Sequence, residues 1–466
     1  MKGRMQLILI TRRRGSMNKG NQTLRKWAVM GACFLTVVSA ASGQERKLTL
    51  QEAIGLALLQ NHAVKIAHYE VAAEEQKKRN AESNYFPLIT NQSNALYTTA
   101  LERIDVPPGA FGAIPGGALI PSSTTYLTQG RSAFQASGTQ LSQPLTTLIK
   151  VHEANKIAAA DVGISQASLR KTSTDVVYSV HQLYYRLLTA QLQRKAAELQ
   201  ITSSNENLAE SGEQYKNGSL LKVALVENRA NSLEAKQTLL TTDMQISDLV
   251  TELNDVLGLP LDTKLVLDPS VDTAFDLATR EESLQVALKN NPEVQEAVQS
   301  LSKARAAEGA AKAEYIPNTT GFARYSYQNG VPFLDHNFGT FGVLFSYDLF
   351  DAGKRRSLVR ERRDEVSEAE EALERAKDEV GVRITTIYNK LETTRAMVDV
   401  ANEYLSARQE SARLTEDQYK QGTSLASQRD ASRAQAMKAQ AGLLEASLDY
   451  LLARDELNRI LGSSAP

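Results

Sequence analysis

Apolar side chains recur at every seventh position along two stretches of the chain. Ile384, Leu391, Val398, Leu405, Ala412 and Tyr419 form one row, with Val366, Leu373, Val380 and Ile387 beside it. Val180, Leu187, Arg194, Ile201, Leu208 and Tyr215 form a matching row earlier. Sustained heptads wind helices into a left-handed supercoil. No proline falls between Pro144 and Pro260, or between Pro332 and Pro466. The pattern predicts unbroken helices over 151–217 and 355–421, each roughly 100 Å long. Their other faces mix Glu, Arg, Lys and Gln, so water lies on at least one side. Gln214-Tyr215-Lys216-Asn217-Gly218 and Gln418-Tyr419-Lys420-Gln421-Gly422 read as the tips of two helical hairpins, 151–258 and 355–461.

Elsewhere the period is two. Phe341, Val343, Phe345 and Tyr347 alternate with Gly342, Leu344, Ser346 and Asp348, which puts the large apolar residues on one face of a strand. Strands are predicted at 319–328 and 338–350, and more weakly at 88–98 and 133–143. Alternation alone fits a half-buried soluble hairpin as well as a transmembrane strand of roughly 9–11 residues. A short and a longer helix precede each β-hairpin. Asn61-His62 and Asn291-Pro292 mark the breaks within these helix pairs, and Pro87 and Pro317 stop them.

The two halves are copies. At an offset of 230, Glu52, Asn61, Tyr85 and Pro87 meet Glu282, Asn291, Tyr315 and Pro317. Further on the offset is 204: Tyr184, Leu187, Tyr215, Gly218 and Leu257-Gly258 meet Tyr388, Leu391, Tyr419, Gly422 and Leu461-Gly462. The first half therefore carries 26 extra residues, the difference of the two offsets, in a loop holding Pro107, Pro108, Gly109, Gly116, Gly117 and Pro121. That composition excludes helix and central strand. Repeats are expected over 48–260 and 282–462, joined by a linker at 259–281.

Ala, Leu, Glu, Gln, Lys and Arg dominate the composition and favour helix. A net charge of −1 creates no global field that would draw nucleic acid. Residues 1–43 read as a secretory signal peptide, with Met17 as an alternative start: Lys19, Arg25 and Lys26 precede an apolar run from Trp27 to Val38, and small residues follow. The run is shorter than the roughly 20 residues that span a bilayer. Cleavage near Gly43 removes Cys33, the only cysteine; the other reading makes Cys33 a lipid-bearing residue. His62, His68, His152, His181 and His336 have no metal-site spacing. Gly-rich phosphate loops and Gly-x-Ser-x-Gly are missing. No enzyme, cofactor or metal is expected.

Together these features resemble the TolC-type outer-membrane efflux proteins, also called outer membrane factors. The residues that carry the resemblance are Leu48-Thr49-Leu50-Gln51-Glu52-Ala53 with Glu282-Ser283-Leu284-Gln285-Val286-Ala287-Leu288, and Tyr85-Phe86-Pro87 with Tyr315-Ile316-Pro317. The two Tyr-x-x-Gly turns and the Leu-Gly ends of both halves add to them, and the resemblance spans nearly all of 48–462. It implies a mainly α chain with a small β part and an internal two-fold repeat. A homotrimer would sit in the outer membrane of a Gram-negative bacterium. Each protomer would give four strands to a twelve-stranded transmembrane β-barrel and long helices to a coiled-coil α-helical barrel in the periplasm. Four strands cannot close alone, and lipid does not tolerate an open edge.

The implied function is a passive exit duct of a tripartite efflux or type I secretion system. Its partners would be a periplasmic adaptor (a membrane fusion protein), an inner-membrane pump and outer-membrane lipid. Tyr215, Gly218, Tyr419 and Gly422 would then be adaptor-docking or gate residues, and Phe341, Val343, Phe345 and Tyr347 would face lipid. The same glycines fit plain left-handed helix caps, and the tyrosines fit seam positions. Many members carry Asp six residues after each turn glycine; here those positions are Ala224 and Gln428, with Glu227 and Asp430 in other registers. That departure weakens the case for a cation-selecting acidic ring. Two other classes compete. A periplasmic adaptor should show one hairpin between Gly-rich β half-motifs, and a coiled-coil scaffold without a pore would not need the alternation at 341–347.

Overall fold

Helices form where the apolar positions keep a helical period, and small polar caps end them. The computed structural model describes residues 47–128, 130–269, 277–330 and 334–463. The expected leader, part of the 259–281 linker and Pro332 lie outside the described residues. In the first half, β1 (Lys47–Leu48) leads to α1 (Leu50–Gln60) and α2 (His62–Ser83). Then come β2 (Leu88–Tyr97), β3 (Arg103–Val106), β4 (Thr125–Thr128), β5 (Ala133–Pro144), α3 (Leu148–Lys216) and α4 (Lys222–Leu257). The second half holds β6 (Val266–Leu267), α5 (Arg280–Asn290), α6 (Pro292–Lys312), β7 (Asn318–Asn329), β8 (Asn337–Ser346), α7 (Lys354–Lys420) and α8 (Ala426–Leu461). Among the described residues it has no counterpart of the β3–β4 hairpin, which brackets the Pro/Gly loop of the first half.

The duplication extends to single contacts. Thr49 and Thr279 each cap a short helix with a capping box completed by Glu52 or Glu282. Asn61 and Asn291 cap the next helix, and their amides also donate to Val256 O at 3.0 Å and Ile460 O at 2.8 Å. Gly258 and Gly462 end α4 and α8 with φ of +69° and +67°. A side chain there would also run into Gln60 or the Asn290 carbonyl, so each Leu-Gly end is fitted against the break between two helices. The largest buried cluster gathers Val180, Tyr184, Leu187, Leu253, Leu257 and Leu451; its twin gathers Val380, Ile384, Leu391, Leu457 and Ile460. The heptad rows are therefore fully buried at Val180–Leu187 and Ile384–Leu391, and half-buried to exposed toward the tips. Tyr184 donates to the carbonyls of Leu48 and Asp268, and burial pushes its hydroxyl up to about 12.

Elements line up in rows of four. The sheet order is β2-β5-β7-β8, antiparallel throughout. Beside the sheet the helices run α2-α3-α6-α7, and toward the tips α4-α3-α8-α7. α3 is inside both rows and buries nineteen residues, whereas α7, at the edge of both, buries five. No helix among the described residues is long and apolar enough to cross a membrane.

The last strand is shorter than its alternation suggested. β8 stops at Ser346, so Tyr347, Leu349 and Phe350 leave the sheet. Asp351 accepts from the Gly353 and Arg355 backbones and from the Arg355 side chain. Arg355 in turn donates to Asp348 O and lies 4.9 Å from the Tyr347 ring centre. This start of α7 takes the chain out of the ladder.

Candidate functional site

Both helical hairpins turn in the same way. Gly218 and Gly422 adopt φ of +75° and +72°, and an added side chain would meet nothing within 4 Å. Glycine is thus needed for its backbone, not for close packing. Each donates its N–H to the preceding tyrosine carbonyl, Tyr215 or Tyr419, at 3.0 Å. Ser219 and Thr423 then donate backbone N–H to Gln214 O and Gln418 O, both at 2.9 Å, completing Schellman-type caps. Tyr215 and Tyr419 are both more than a third exposed in the single chain. Tyr419 nevertheless has a partner across the hairpin: the Arg429 guanidinium lies 4.3 Å from its ring centre.

Around Arg429 is a charged cluster that the heptad pattern did not single out. Arg429 donates to both Asp430 oxygens at 2.7 and 2.9 Å, which holds the Asp430 carboxyl below its ordinary range. Glu206 of α3 faces the same carboxyl, and its interaction with Asp430, with burial, raises the Glu206 carboxyl. Ser427 Oγ donates to Glu210 of α3 at 2.5 Å. Arg433 reaches Glu416 of α7 at 2.7 Å. The start of α8 is thereby tied to both neighbouring helices. Asp430 is buried and paired, and Gln428 accepts from Ser424 Oγ at 2.9 Å as part of the helix cap.

The equivalent start of α4 is apolar. At the 204 offset, Ser427 corresponds to Val223, Arg429 to Leu225, Asp430 to Val226, and Glu210 to Leu414. Val223 and Leu414 are 78% and 49% exposed. The contrast recurs along the edge: Met244 of α4 is 60% exposed, while its equivalent Leu448 of α8 is 3% exposed against α3. The difference between the halves was present in the sequence, but its meaning depends on which helices lie at an edge.

The strand residues divide cleanly by register. Phe341 pairs with Ala323, which pairs with Leu141, which pairs with Ile89. This face also carries Val343, Phe345, Tyr325 and Tyr327, and Phe341, Val343 and Phe345 are strongly exposed. Its polar members Asn91, Ser93, Ser137 and Thr139 bond one another at 2.8–3.3 Å.

Residues 283–463 match the family model described as outer membrane efflux protein. No curated protein matches the chain by sequence. Among solved structures, the outer membrane protein VceC of Vibrio cholerae is 13% identical, with a TM-score of 0.68 over 89% of this chain and 96% of that one. The CmeC outer membrane channel of Campylobacter jejuni is 14% identical, with a TM-score of 0.70 over 91% and 90%. The MtrE outer membrane channel of Neisseria gonorrhoeae, in its open state, is 16% identical, with a TM-score of 0.65 over 89% and 88%. Residues 283–463 thus match the outer membrane efflux protein family, and about nine-tenths of the chain shares the fold of solved outer-membrane channels.

Proposed function

We propose that three copies of this chain close into an outer-membrane efflux duct that serves a tripartite or type I secretion system. The observation that carries this is the repeat itself. Within one chain the first repeat meets the second through β5–β7, α3–α6 and α3–α8. Applying the same contacts to the second repeat joins β8, α7 and α7 to β2, α2 and α4 of the next copy. Six repeats in three chains then close both helical rows and the sheet. Closure covers the bare side of α7 and exposed residues such as Met244.

Phe341, Val343 and Phe345 then face lipid, and Asn91, Ser93, Ser137 and Thr139 on that face hydrogen-bond one another, which lowers the cost of placing them in hydrocarbon. Tyr347 stands outside the strand and takes no part. Tyr215, Gly218, Tyr419 and Gly422 lie on six tips in a ring at the periplasmic end. There an adaptor docks, and an inner-membrane pump delivers substrate. The duct supplies a path and a gate and no chemical step. Envelope fractionation followed by planar-bilayer recording of the purified protein tests the reading. A trimer with channel conductance is expected; a soluble monomer without conductance would overturn it.

A further inference from the structure

Arg324 is the only charged residue in β2, β5, β7 and β8. It sits midway along β7, opposite the face that carries Phe341. Register puts it in one row with Thr340, Gln140 and Thr90. A hollow of about 430 Å³ lies on this face, lined by Arg324, Gln92, Gln140, Gln328, Phe322 and Phe338 among others, so the sheet curls toward the arginine. The guanidinium rests over Gly138 of β5: a side-chain carbon there would lie 2.6 Å from Nη2 and 2.7 Å from Nε. The missing side chain is what lets the cation lie flat against the wall.

Among the described residues, Arg324 has no hydrogen bond or ion pair. The four strands contain no carboxylate to neutralise it. Near the two ends of the sheet, Asp105, Glu314 and Asp351 pair with closer cations, Arg103, Lys150 and Arg355. An arginine on the lipid face at this depth would cost about 2–4 kcal/mol, which points the concave face to water.

We propose that Arg324 makes the barrel prefer anions, both inorganic anions and anionic organic solutes. The inference rests on the trimeric duct described above, in which three guanidinium groups form one ring inside the barrel. Strand spacing of about 4.8 Å and a tilt of about 40° give twelve strands a radius of roughly 12 Å. The Debye length is about 10 Å at 0.1 M salt, so the field of the ring reaches most of the lumen; at 1 M it shrinks to about 3 Å and stays at the wall. Rings of Arg or Lys favour anions in other pores by the same electrostatics.

The test is the reversal potential of the full chain in planar bilayers across a potassium chloride gradient near 0.1 M. A chloride-to-potassium permeability ratio above unity is expected, fading toward unity near 1 M. Arg324→Lys should retain the ratio, Arg324→Gln should bring it to unity, and Arg324→Glu should invert it. As a second route, Arg324→Cys is modified after assembly with an anionic or a cationic thiol reagent, and the two should move the reversal potential in opposite directions. With Cys33 removed in the leader, no other thiol competes. A channel whose reversal potential ignores these changes overturns the anion preference and leaves the duct standing. A chain that forms no channel overturns the duct, and the ring with it.

Discussion

Leu414→Glu puts a carboxylate where the proposed ring would bring Val223 of the next copy. Within one chain the equivalent positions are Glu210 and Ser427, which are hydrogen-bonded at 2.5 Å. In the proposed trimer the same geometry would join Leu414 to Val223, an apolar pair in place of a polar one. Val223 is 78% and Leu414 49% exposed in the single chain. Burying a Val or Leu side chain is worth about 1.5–3 kcal/mol, so scaling by these fractions gives about 2–4 kcal/mol per contact as an upper estimate. The substitution removes much of this and sets a carboxylate against a valine, for a loss of roughly 3–5 kcal/mol at each of three contacts. Adding Val223→Ser rebuilds the hydroxyl–carboxylate bond seen inside the chain and returns about 1.5–3 kcal/mol per contact. The assay is thermal dissociation of the trimer in detergent, with helix content monitored by circular dichroism and resting conductance measured in bilayers. The single variant should dissociate earlier and leak; the double variant should recover part of both losses. If the two substitutions act additively, with helicity intact, Leu414 and Val223 do not meet.

Val223→Cys combined with Leu414→Cys should give a covalent trimer on oxidation, and a gel showing only monomer would count against the ring. Tyr215→Ala with Tyr419→Ala should loosen closure and raise resting conductance; unchanged conductance would confine these tyrosines to packing or docking. Glu206 has a raised carboxyl, so the stability it contributes is present below the ordinary glutamate range and lost as pH rises through its raised value. Trimer melting should follow that trend, and Glu206→Gln should flatten it. Asp455 is buried beside His181 at 2.8 Å and accepts from Arg454 at 2.9 Å. Burial alone would raise its carboxyl, but these two neighbours outweigh burial and hold it low. Asp455→Ala should cost about 3–5 kcal/mol in chemical denaturation, because it leaves Arg454 and the buried Tyr185 hydroxyl without their acceptor; a loss near zero would refute that role.

Much of the fold was readable because it depends on local rules. Heptad spacing and missing prolines gave the two long helices, and matched Asn, Tyr and Gly positions gave the repeat. β8 was overextended because Tyr347 and Leu349 continue an apolar alternation, whereas the turn chemistry of Asp351 and Arg355 decides where the ladder ends. The β3–β4 hairpin was missed because its four-residue strands flank a Pro/Gly loop too short of pattern to register. Tyr215 and Tyr419 could be placed at the tips from spacing alone. The cluster of Glu206, Glu210, Arg429 and Asp430 could not, because it joins helices more than two hundred positions apart in the chain. Its trace in the sequence is a mismatch between halves, Ser427-x-Arg429-Asp430 against Val223-x-Leu225-Val226. Such a mismatch gains meaning only when one copy faces its own chain and the other an edge.

The free edges of β2 and β8 also constrain how the molecule is made. A lone protomer in a bilayer would bare a row of backbone N–H and C=O groups on each edge, and each unsatisfied group costs several kcal/mol in hydrocarbon. In the proposed duct that penalty disfavours a one-chain insertion intermediate and couples membrane entry to ring closure. The helical edges of the proposed duct, which would meet in water, are free to gather three chains beforehand. Yield should then depend steeply on protomer concentration, and scarce protomers should wait in the periplasm.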